Sequence, residues 1–150
     1  MLAACFRHAS RAGVARNIQF PTTDKQIMIL NMTLRYINYP VYKDSKLLHH
    51  LTVHLVKKFS RDYYYLADQM KRAALSIILN IAEGAGKRSD KDFNRYLENA
   101  LGSVSELGAA FDVALEEKLI TDNDNHTALE LIISIKNQLG GLSKKLLVGS

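Results

Sequence analysis

Apolar residues recur at helical spacing in four stretches of the chain. The first stretch has an apolar residue at every fourth position, with two apolar neighbours, and comprises Leu47, Leu48, Leu51, Leu55, Val56 and Phe59. This spacing predicts an amphipathic helix, and Asp44 or Ser45 is expected to cap its start. The helix is expected to end at a group of bases, since cations suit the negative end of a helix dipole; they are Lys57, Lys58 and Arg61.

The second helix is predicted from about Tyr63 to Glu83 or Ala85, with Gly84 or Gly86 as a left-handed cap. At 100° per residue its polar positions fall within an arc of about 80°; they are Gln69, Arg72, Ser76, Asn80 and Glu83. Almost everything else between residues 73 and 82 is Ala, Leu or Ile. A helix of a small monomeric bundle buries one face, so this pattern favours an oligomer that covers a second face. The alternative is that a short Ala-rich surface is tolerated in solvent.

The third helix is predicted to begin after Ser89, a capping residue followed by two acids in the first turn, Asp90 and Asp92, and to end near Lys118. Its apolar stripe consists of Phe93, Leu97, Ala100, Leu101, Val104, Leu107, Phe111 and Leu115. The fourth helix is expected to open at Thr121 or Asp122. Its inward residues are predicted to be Leu129, Ile132, Ile133, Leu139, Leu142 and Leu146. Gly140–Gly141 predicts a bend or early fraying, at about 1 kcal/mol per glycine relative to Ala.

Four helices with short connections predict an all-α fold, an antiparallel up-down-up-down four-helix bundle over residues 32–150. Residues 1–31 are expected to form a disordered or loosely attached basic N-terminal extension. Within it, the small residues and arginines of residues 1–27 are typical of an organellar transit peptide. The alternatives are an over-extended start, with Met28 or Met32 as the true initiator, and a basic arm that contacts nucleic acid.

Composition narrows the class of protein. The chain is 47% hydrophobic and 23% charged, a balance typical of a globular domain. No apolar run approaches the roughly 20 residues that span a bilayer, so an integral membrane protein is not expected. Cys5 is the only cysteine. It allows no internal disulfide and no cysteine-based zinc site, which fits a reducing cytoplasm.

Charge placement is more informative than the net charge of +5. In an up-down bundle the start of the first helix, the loop between the second and third helices and the end of the fourth helix share one end. Eight bases stand there against four acids, whereas residues 96–130 hold one base among eight acids. We call the former the basic end. The bases predicted to contact nucleic-acid phosphates are Lys87, Arg88, Lys91, Arg95, Lys144 and Lys145, with Lys43 and Lys46 beside them. The alternative is an ordinary solvated loop with capping acids.

The sequence offers no recognisable catalytic site, and we expect no enzymatic activity, metal or cofactor. His50 and His54 have a four-residue spacing that can share a metal, but no third ligand lies near them in sequence. The Glu-x-x-His pairs of di-metal bundles are missing from the sequence. The stretch Gly84-Ala85-Gly86-Lys87 follows a predicted helix instead of a strand and lacks the spacing of a phosphate-binding loop.

A longer cluster of residues resembles a known family. It comprises Arg72-Ala73-Ala74, Ser76-Ile77, Asn80-Ile81-Ala82-Glu83-Gly84, Arg88-Ser89, Asp92-Phe93, Tyr96-Leu97, Ala100-Leu101-Gly102-Ser103 and Glu106-Leu107. This order is similar to the signature of the 23S rRNA intervening-sequence proteins, small bacterial four-helix bundles related to the accessory variability determinant of diversity-generating retroelements. The resemblance covers about residues 36–119, and the fourth helix by pattern alone.

The resemblance implies a homopentameric barrel without known enzymatic activity. For the retroelement relatives it also implies binding of nucleic acid and of a reverse transcriptase. Five copies in a ring would bring five basic ends together around one rim. Two hypotheses follow for function. The first is an oligomeric accessory protein that binds RNA or DNA without reading its sequence, and the second is a scaffold that docks another bacterial protein.

The signature residues themselves are expected to be structural. Asn80 and Glu83 would close the second helix, and Gly102 would permit a close helix approach. Arg72 is expected to pair with an acid, and Glu106 is favoured because a turn near residues 86–88 places it about one turn from the position opposite. The pair is expected either within one bundle or across a subunit interface. The predicted structural set is Arg72, Ser76, Asn80, Glu83, Gly84, Ser89, Gly102 and Glu106.

Overall fold

The computed structural model describes residues 34–148, and every regular element within this range is helical. Two short 3-10 helices, Arg35–Asn38 and Arg61–Tyr63, each precede a longer helix. The four long helices are α1 (Pro40–Val56), α2 (Tyr64–Ala85), α3 (Asp90–Glu116) and α4 (Asp122–Val148). The predicted N-terminal extension lies outside the described residues.

The long helices enclose one core. Each helix packs against the next one in sequence, and α1 also packs against α4, which completes a four-helix bundle. All four helices contribute side chains that are almost inaccessible to solvent, among them Leu48, Ile77, Phe111 and Ile135. Burying one such aliphatic or aromatic side chain stabilises the fold by about 1.5–3 kcal/mol. The all-α four-helix prediction is therefore confirmed. None of the helices between residues 34 and 148 has both the length and the hydropathy needed to cross a bilayer.

The first helix begins earlier than predicted, at Pro40 and not at Asp44 or Ser45. Proline suits the first helical position because its φ is already helical and its missing N–H would have no partner there. Asp44 instead accepts hydrogen bonds from two side chains of α4, Gln138 Nε2 at 2.6 Å and Ser134 Oγ at 3.3 Å. Ser45 is buried and donates to a carbonyl one turn earlier in its own helix.

The buried stripe of α1 differs from the predicted one in a single leucine. Leu48 and Leu55 of α1 are buried, as is Phe59 three residues beyond its end, and Leu51 is half-buried, but Leu47 is 59% exposed. Four residues correspond to 400° of helix, so a four-residue repeat drifts by about 40° per step around the axis. A long series with that repeat therefore cannot keep every member on the core face.

Four of the six residues predicted to face inward from α4 are buried or half-buried, namely Ile132, Leu139, Leu142 and Leu146. The other two were predicted wrongly, since Leu129 is 38% exposed and Ile133 is 57% exposed. Ala128 and Ile135 lie in the core instead. Apolar residues surround this part of α4 on most sides, so the sequence pattern did not fix its rotation. The predicted fraying at Gly140–Gly141 is also wrong, because α4 continues through both glycines to Val148.

The left-handed residue at a helix end lies at a different position from the predicted one. Gly86 closes α2 with φ −87°, so the predicted left-handed cap is wrong there. The left-handed residue is Lys118, with φ 57°, just after α3, which ends two residues earlier than predicted. The Leu119 N–H donates to Ala114 O and the Lys118 N–H to Leu115 O, each at 2.9 Å. This is the Schellman arrangement, in which a left-handed residue satisfies the last carbonyls of a helix.

Candidate nucleic-acid interface

Beside the turn that joins them, α2 and α3 approach each other closely because Gly84 of α2 has no side chain. A Cβ at this position would lie 2.6 Å from Phe93 Cδ2 and 2.8 Å from Tyr96 Cβ, closer than real atoms approach. A Cβ on Gly102, in contrast, would meet no atom of the described residues within 4 Å. The close helix approach predicted at Gly102 is therefore wrong, and Gly84 provides it.

The start of α3 fixes the other side of this turn. The Asp92 N–H donates to Ser89 Oγ at 3.1 Å, so the predicted cap is confirmed. The Ser89 hydroxyl in turn donates to Asp92 Oδ2 at 2.7 Å. Two fixed helix ends thus hold Lys87 and Arg88 between them, and both residues are exposed.

One of the predicted bases, Lys87, has partners within the chain. Its Nζ donates to Glu83 Oε1 at 3.2 Å and lies 4.7 Å from the centre of the Tyr96 ring. The Tyr96 hydroxyl donates to the same Glu83 oxygen at 2.7 Å. Hydrogen bonds from Tyr96 and then Lys87 lower the pKa of Glu83, and the pKa of Lys87 is raised by Tyr96 and then Glu83. Both groups therefore stay charged, and Glu83 balances part of the charge that Lys87 could offer to a phosphate.

Three of the predicted bases, Lys87, Lys91 and Arg95, line two shallow, open hollows around this turn. One hollow of about 380 Å³ is lined by Lys87, Asp92, Arg95, Tyr96 and Asn99. A second, of about 430 Å³, is lined by Asp90, Lys91, Asn94, Arg95, Glu98, Leu146 and Leu147. Arg95 lies between the two hollows and belongs to both. The structure therefore brings Lys87, Lys91 and Arg95 together.

The end of α4 is attached to the start of α3 by a hydrogen bond between the half-buried Ser143 and the buried Asn94. Ser143 Oγ donates to Asn94 Oδ1 at 2.5 Å, and Asn94 is 8% exposed. This bond places Lys144 and Lys145 in the part of α4 that contacts the first turns of α3. Lys145 also lines a third hollow, of about 320 Å³, beside the start of α1 at Tyr39 and Pro40. Arg88 and Lys144 are exposed but line none of the hollows described here.

The signature residues form a polar contact along α2 and α3. Ser76 Oγ and Ser103 Oγ lie 2.9 Å apart, and Asn80 Nδ2 donates to the Ser76 carbonyl at 2.8 Å. Asn80 therefore bonds one turn back and does not close α2, contrary to the prediction. Gln69 Nε2 donates to Glu106 Oε1 further along the same contact.

The predicted pairing of Arg72 with Glu106 is wrong within the chain. Glu106 accepts a hydrogen bond from Gln69 instead. Arg72 lies 3.9 Å from Asp68, one turn earlier in α2. The Arg72 side chain is 74% exposed, so it needs no buried partner. The error arose because the sequence pattern suggested apolar surroundings for Arg72, whereas the residue points away from the core.

The other polar candidates are dispersed. His50 and His54 are exposed on α1, and residues 34–148 contain no group of three potential metal ligands close together. Lys46 lies 5.3 Å from the centre of the Tyr42 ring, and Lys43 is exposed nearby.

Sequence reasoning did not identify Asn99, which lines the first hollow, as part of the interface. Its only signal is its position one turn after Arg95 in α3.

The fold and this surface define a class: a small four-helix bundle whose α2–α3 turn displays bases around open polar hollows. The particular family follows from the comparison with family models. The model for the 23S rRNA-intervening sequence protein matches residues 38–141, so the chain belongs to this family. The resemblance found in the sequence is thereby confirmed. A comparison with curated proteins gave no match.

Proposed function

We propose that this protein is a non-enzymatic, oligomeric accessory protein that binds nucleic acid through its basic end without reading sequence. The observation that carries the proposal is the grouping of Lys87, Lys91 and Arg95 around two adjoining hollows. Lys and Arg side chains on an open surface suit phosphate oxygens, which are the same for every sequence. The proposal assigns no cofactor to the protein and takes it to act in the cytoplasm.

The proposal takes the helices to run up, down, up and down. Three contacts between α2 and α3 support this course. Gln69 meets Glu106, Ser76 meets Ser103 and Glu83 meets Tyr96. As the position in α2 rises, the position of the partner in α3 falls, which is the pattern of antiparallel helices. With this course the ends of α2 and α4 lie beside the starts of α1 and α3, so the eight bases share one end.

Self-assembly is the second part of the proposal, with five copies as the number that the family resemblance implies. Leu75 and Leu79 support it, because both point outward from α2 and are 43% and 55% exposed. Leu129 and Ile133 add a second exposed apolar surface on α4. Neighbouring large apolar side chains in solvent indicate an interaction surface more often than isolated ones do. A ring would place several basic ends on one rim and strengthen phosphate binding.

A protein-binding scaffold is the second candidate function. Two neighbouring tyrosines at the start of α2 favour it, since Tyr64 is 61% exposed and Tyr65 is 68% exposed. Aromatic residues of this kind are enriched at protein interfaces. The docked partner would be another bacterial protein, and a reverse transcriptase is one candidate.

Charge reversal separates the two functions. We expect a variant carrying Arg88→Glu, Lys91→Glu and Arg95→Glu to lose binding of generic RNA at moderate salt, because three phosphate contacts become repulsive. Lys87 is left in place, since it stabilises Glu83. The measurement is fluorescence anisotropy with a labelled RNA of mixed sequence, together with a thermal melt to verify folding.

The matched control carries Asp112→Asn and Glu116→Gln, which remove two exposed acids of residues 96–130, the stretch that we call the acidic segment. This control should bind RNA as well as the parent or slightly better. A charge-reversed variant that binds RNA like the parent would exclude the basic end as the RNA-binding surface. A parent that binds no RNA or DNA at any salt concentration would favour the scaffold.

A further inference from the structure

The first hollow, of about 380 Å³, is lined by side chains of different chemistry on one side of α3. Asp92, Arg95, Tyr96 and Asn99 lie on neighbouring turns, and residues three and four apart share a face of a helix. Lys87 adds to the lining from the α2–α3 turn. The hollow therefore presents a carboxylate, a guanidinium, an amide and an aromatic ring to the same space.

Three of these side chains have hydrogen-bonding groups available. Asp92 accepts the Ser89 hydroxyl at Oδ2, and its Oδ1 has no hydrogen-bond partner among residues 34–148. The side-chain amide of Asn99 and the guanidinium of Arg95 also lack a partner within that range. An acceptor, an amide that both donates and accepts, and a multiple donor are thus open to a ligand.

The Tyr96 ring forms a fixed wall of the same hollow. Its hydroxyl donates to Glu83 Oε1 at 2.7 Å, and its Cβ lies against α2 at Gly84. Because the hydroxyl is already engaged, the ring offers its aromatic surface. Aromatic side chains contact nucleobases of every type, since each nucleobase has a π face.

The charges around the first hollow are equal in number. Its two bases are Lys87 and Arg95, and the two acids beside them are Asp92 in the lining and Glu83, which lies 3.2 Å from Lys87. A phosphate inside the hollow would come close to the Asp92 carboxylate and be repelled by it. The hollow therefore suits an uncharged polar group better than it suits a phosphate.

A nucleobase is the uncharged polar part of a nucleic acid. Every nucleobase carries both a donor and an acceptor on its Watson–Crick edge, and proteins bind this edge where the nucleobase is unpaired. The free groups of Asp92, Arg95 and Asn99 together supply acceptors and donors for either pattern. In a duplex the same edge is occupied by the opposite strand, so only an unpaired nucleobase can present it to the hollow.

The size and position of the hollow fit a nucleobase whose phosphates lie outside it. Its volume is about 380 Å³, near the lower end of the roughly 300–1,000 Å³ of small-ligand pockets. Lys91 lines the adjoining hollow, and Arg88 is exposed in the α2–α3 turn. Both side chains are free to contact phosphates on either side of a nucleobase held in the first hollow.

We propose that the first hollow binds an unpaired nucleobase of a single-stranded nucleic acid, while Arg88 and Lys91 contact the phosphates beside it. The inference rests on the proposed function and names the form of nucleic acid that the basic end takes. Binding through phosphates alone would favour a duplex, which has the higher density of charge. Contact with an unpaired nucleobase reverses that order.

Three labelled DNA ligands of equal length test the inference. They are a single strand of mixed sequence, the same strand annealed to its complement, and a strand that lacks nucleobases. In fluorescence anisotropy at one salt concentration, we expect the first ligand to bind about tenfold more tightly than either of the others, the scale of one nucleobase–aromatic contact. A duplex or a strand without nucleobases that binds as tightly as the first ligand would overturn the inference and leave phosphate binding by the basic end intact.

Asn99→Ala tests whether the nucleobase lies in the first hollow. We expect this variant to bind the single strand several-fold more weakly, with the parent's dependence on salt because no phosphate contact is lost. Asn123→Ala removes an exposed amide at the start of α4 and should bind like the parent. An Asn99→Ala variant with the parent's affinity would overturn the inference alone, whereas a parent that binds none of the three ligands would overturn it together with the proposed function.

Discussion

Gly84 is the residue on which the α2–α3 turn depends most directly. Its missing side chain lets Phe93 and Tyr96 pack against the α2 backbone. We expect Gly84→Ala to destabilise the protein by about 1–3 kcal/mol, since the added methyl group forces neighbouring atoms apart. Urea denaturation measures the change in the free energy of unfolding.

Gly102→Ala is the matched control. Gly102 lies in the same helical hairpin, is exposed, and has room for a Cβ among the described residues. Alanine there should stabilise the protein by up to about 1 kcal/mol through its higher helix propensity. Equal effects of the two substitutions would contradict the close approach at Gly84.

At the scale of the element, α4 depends on a reciprocal cap. The Asp124 N–H donates to Thr121 Oγ1 at 3.1 Å, and the Thr121 N–H donates to Asp124 Oδ2 at 3.1 Å. We expect Thr121→Ala to lower the free energy of unfolding by about 1 kcal/mol at neutral pH. Thr127→Ala, within the exposed part of the same helix, should have a much smaller effect.

The same cap predicts a dependence on pH. Hydrogen bonds from the side chain and then the backbone of Thr121 lower the pKa of Asp124 from its ordinary value of 3.8. The folded state thus holds this proton more weakly than the unfolded state, so the stabilisation is complete above that value and is lost as the pH falls through the lower folded pKa. The difference between parent and Thr121→Ala should shrink in acid. A constant difference down to acid unfolding would show that the Asp124 charge contributes nothing.

These elements also show how much of the fold could be predicted from the sequence. Ser89 and Thr121 were identifiable as caps because their side chains act within three residues of themselves. The start of α1 was not, because Pro40 competes with Asp44 as a start signal and the role of Asp44 depends on Gln138 in another helix. The face of a helix that points to the core could not be predicted where apolar residues surround the helix, as at Ile133 of α4.

The candidate site was predictable to a similar degree. Bases close to one turn, such as Lys87 and Lys91, could be grouped from helix order alone. The partners of Lys87 could not, because Tyr96 reaches Glu83 only when Gly84 allows α2 and α3 to approach closely. Arg72 was misassigned for a related reason, since its surroundings depend on which face of α2 points outward.

At the scale of the whole molecule, the proposed topology separates charge along the bundle. The basic end holds eight bases against four acids, and the acidic segment holds one base among eight acids. A phosphate backbone approaching this protein is attracted to one end and repelled from the acidic segment. Affinity should therefore arise from a few bases at the basic end and not from the net charge.

The dependence of RNA affinity on salt tests this account most directly. For single strands the logarithm of the association constant falls with the logarithm of salt concentration by about 0.7 for each phosphate contacted. Engagement of the basic end by three to six bases of one chain predicts a slope between about −2 and −4. The variant carrying Arg88→Glu, Lys91→Glu and Arg95→Glu should lose this dependence together with its affinity. A slope near zero in the parent, or an unchanged slope in the variant, would contradict phosphate binding by the basic end.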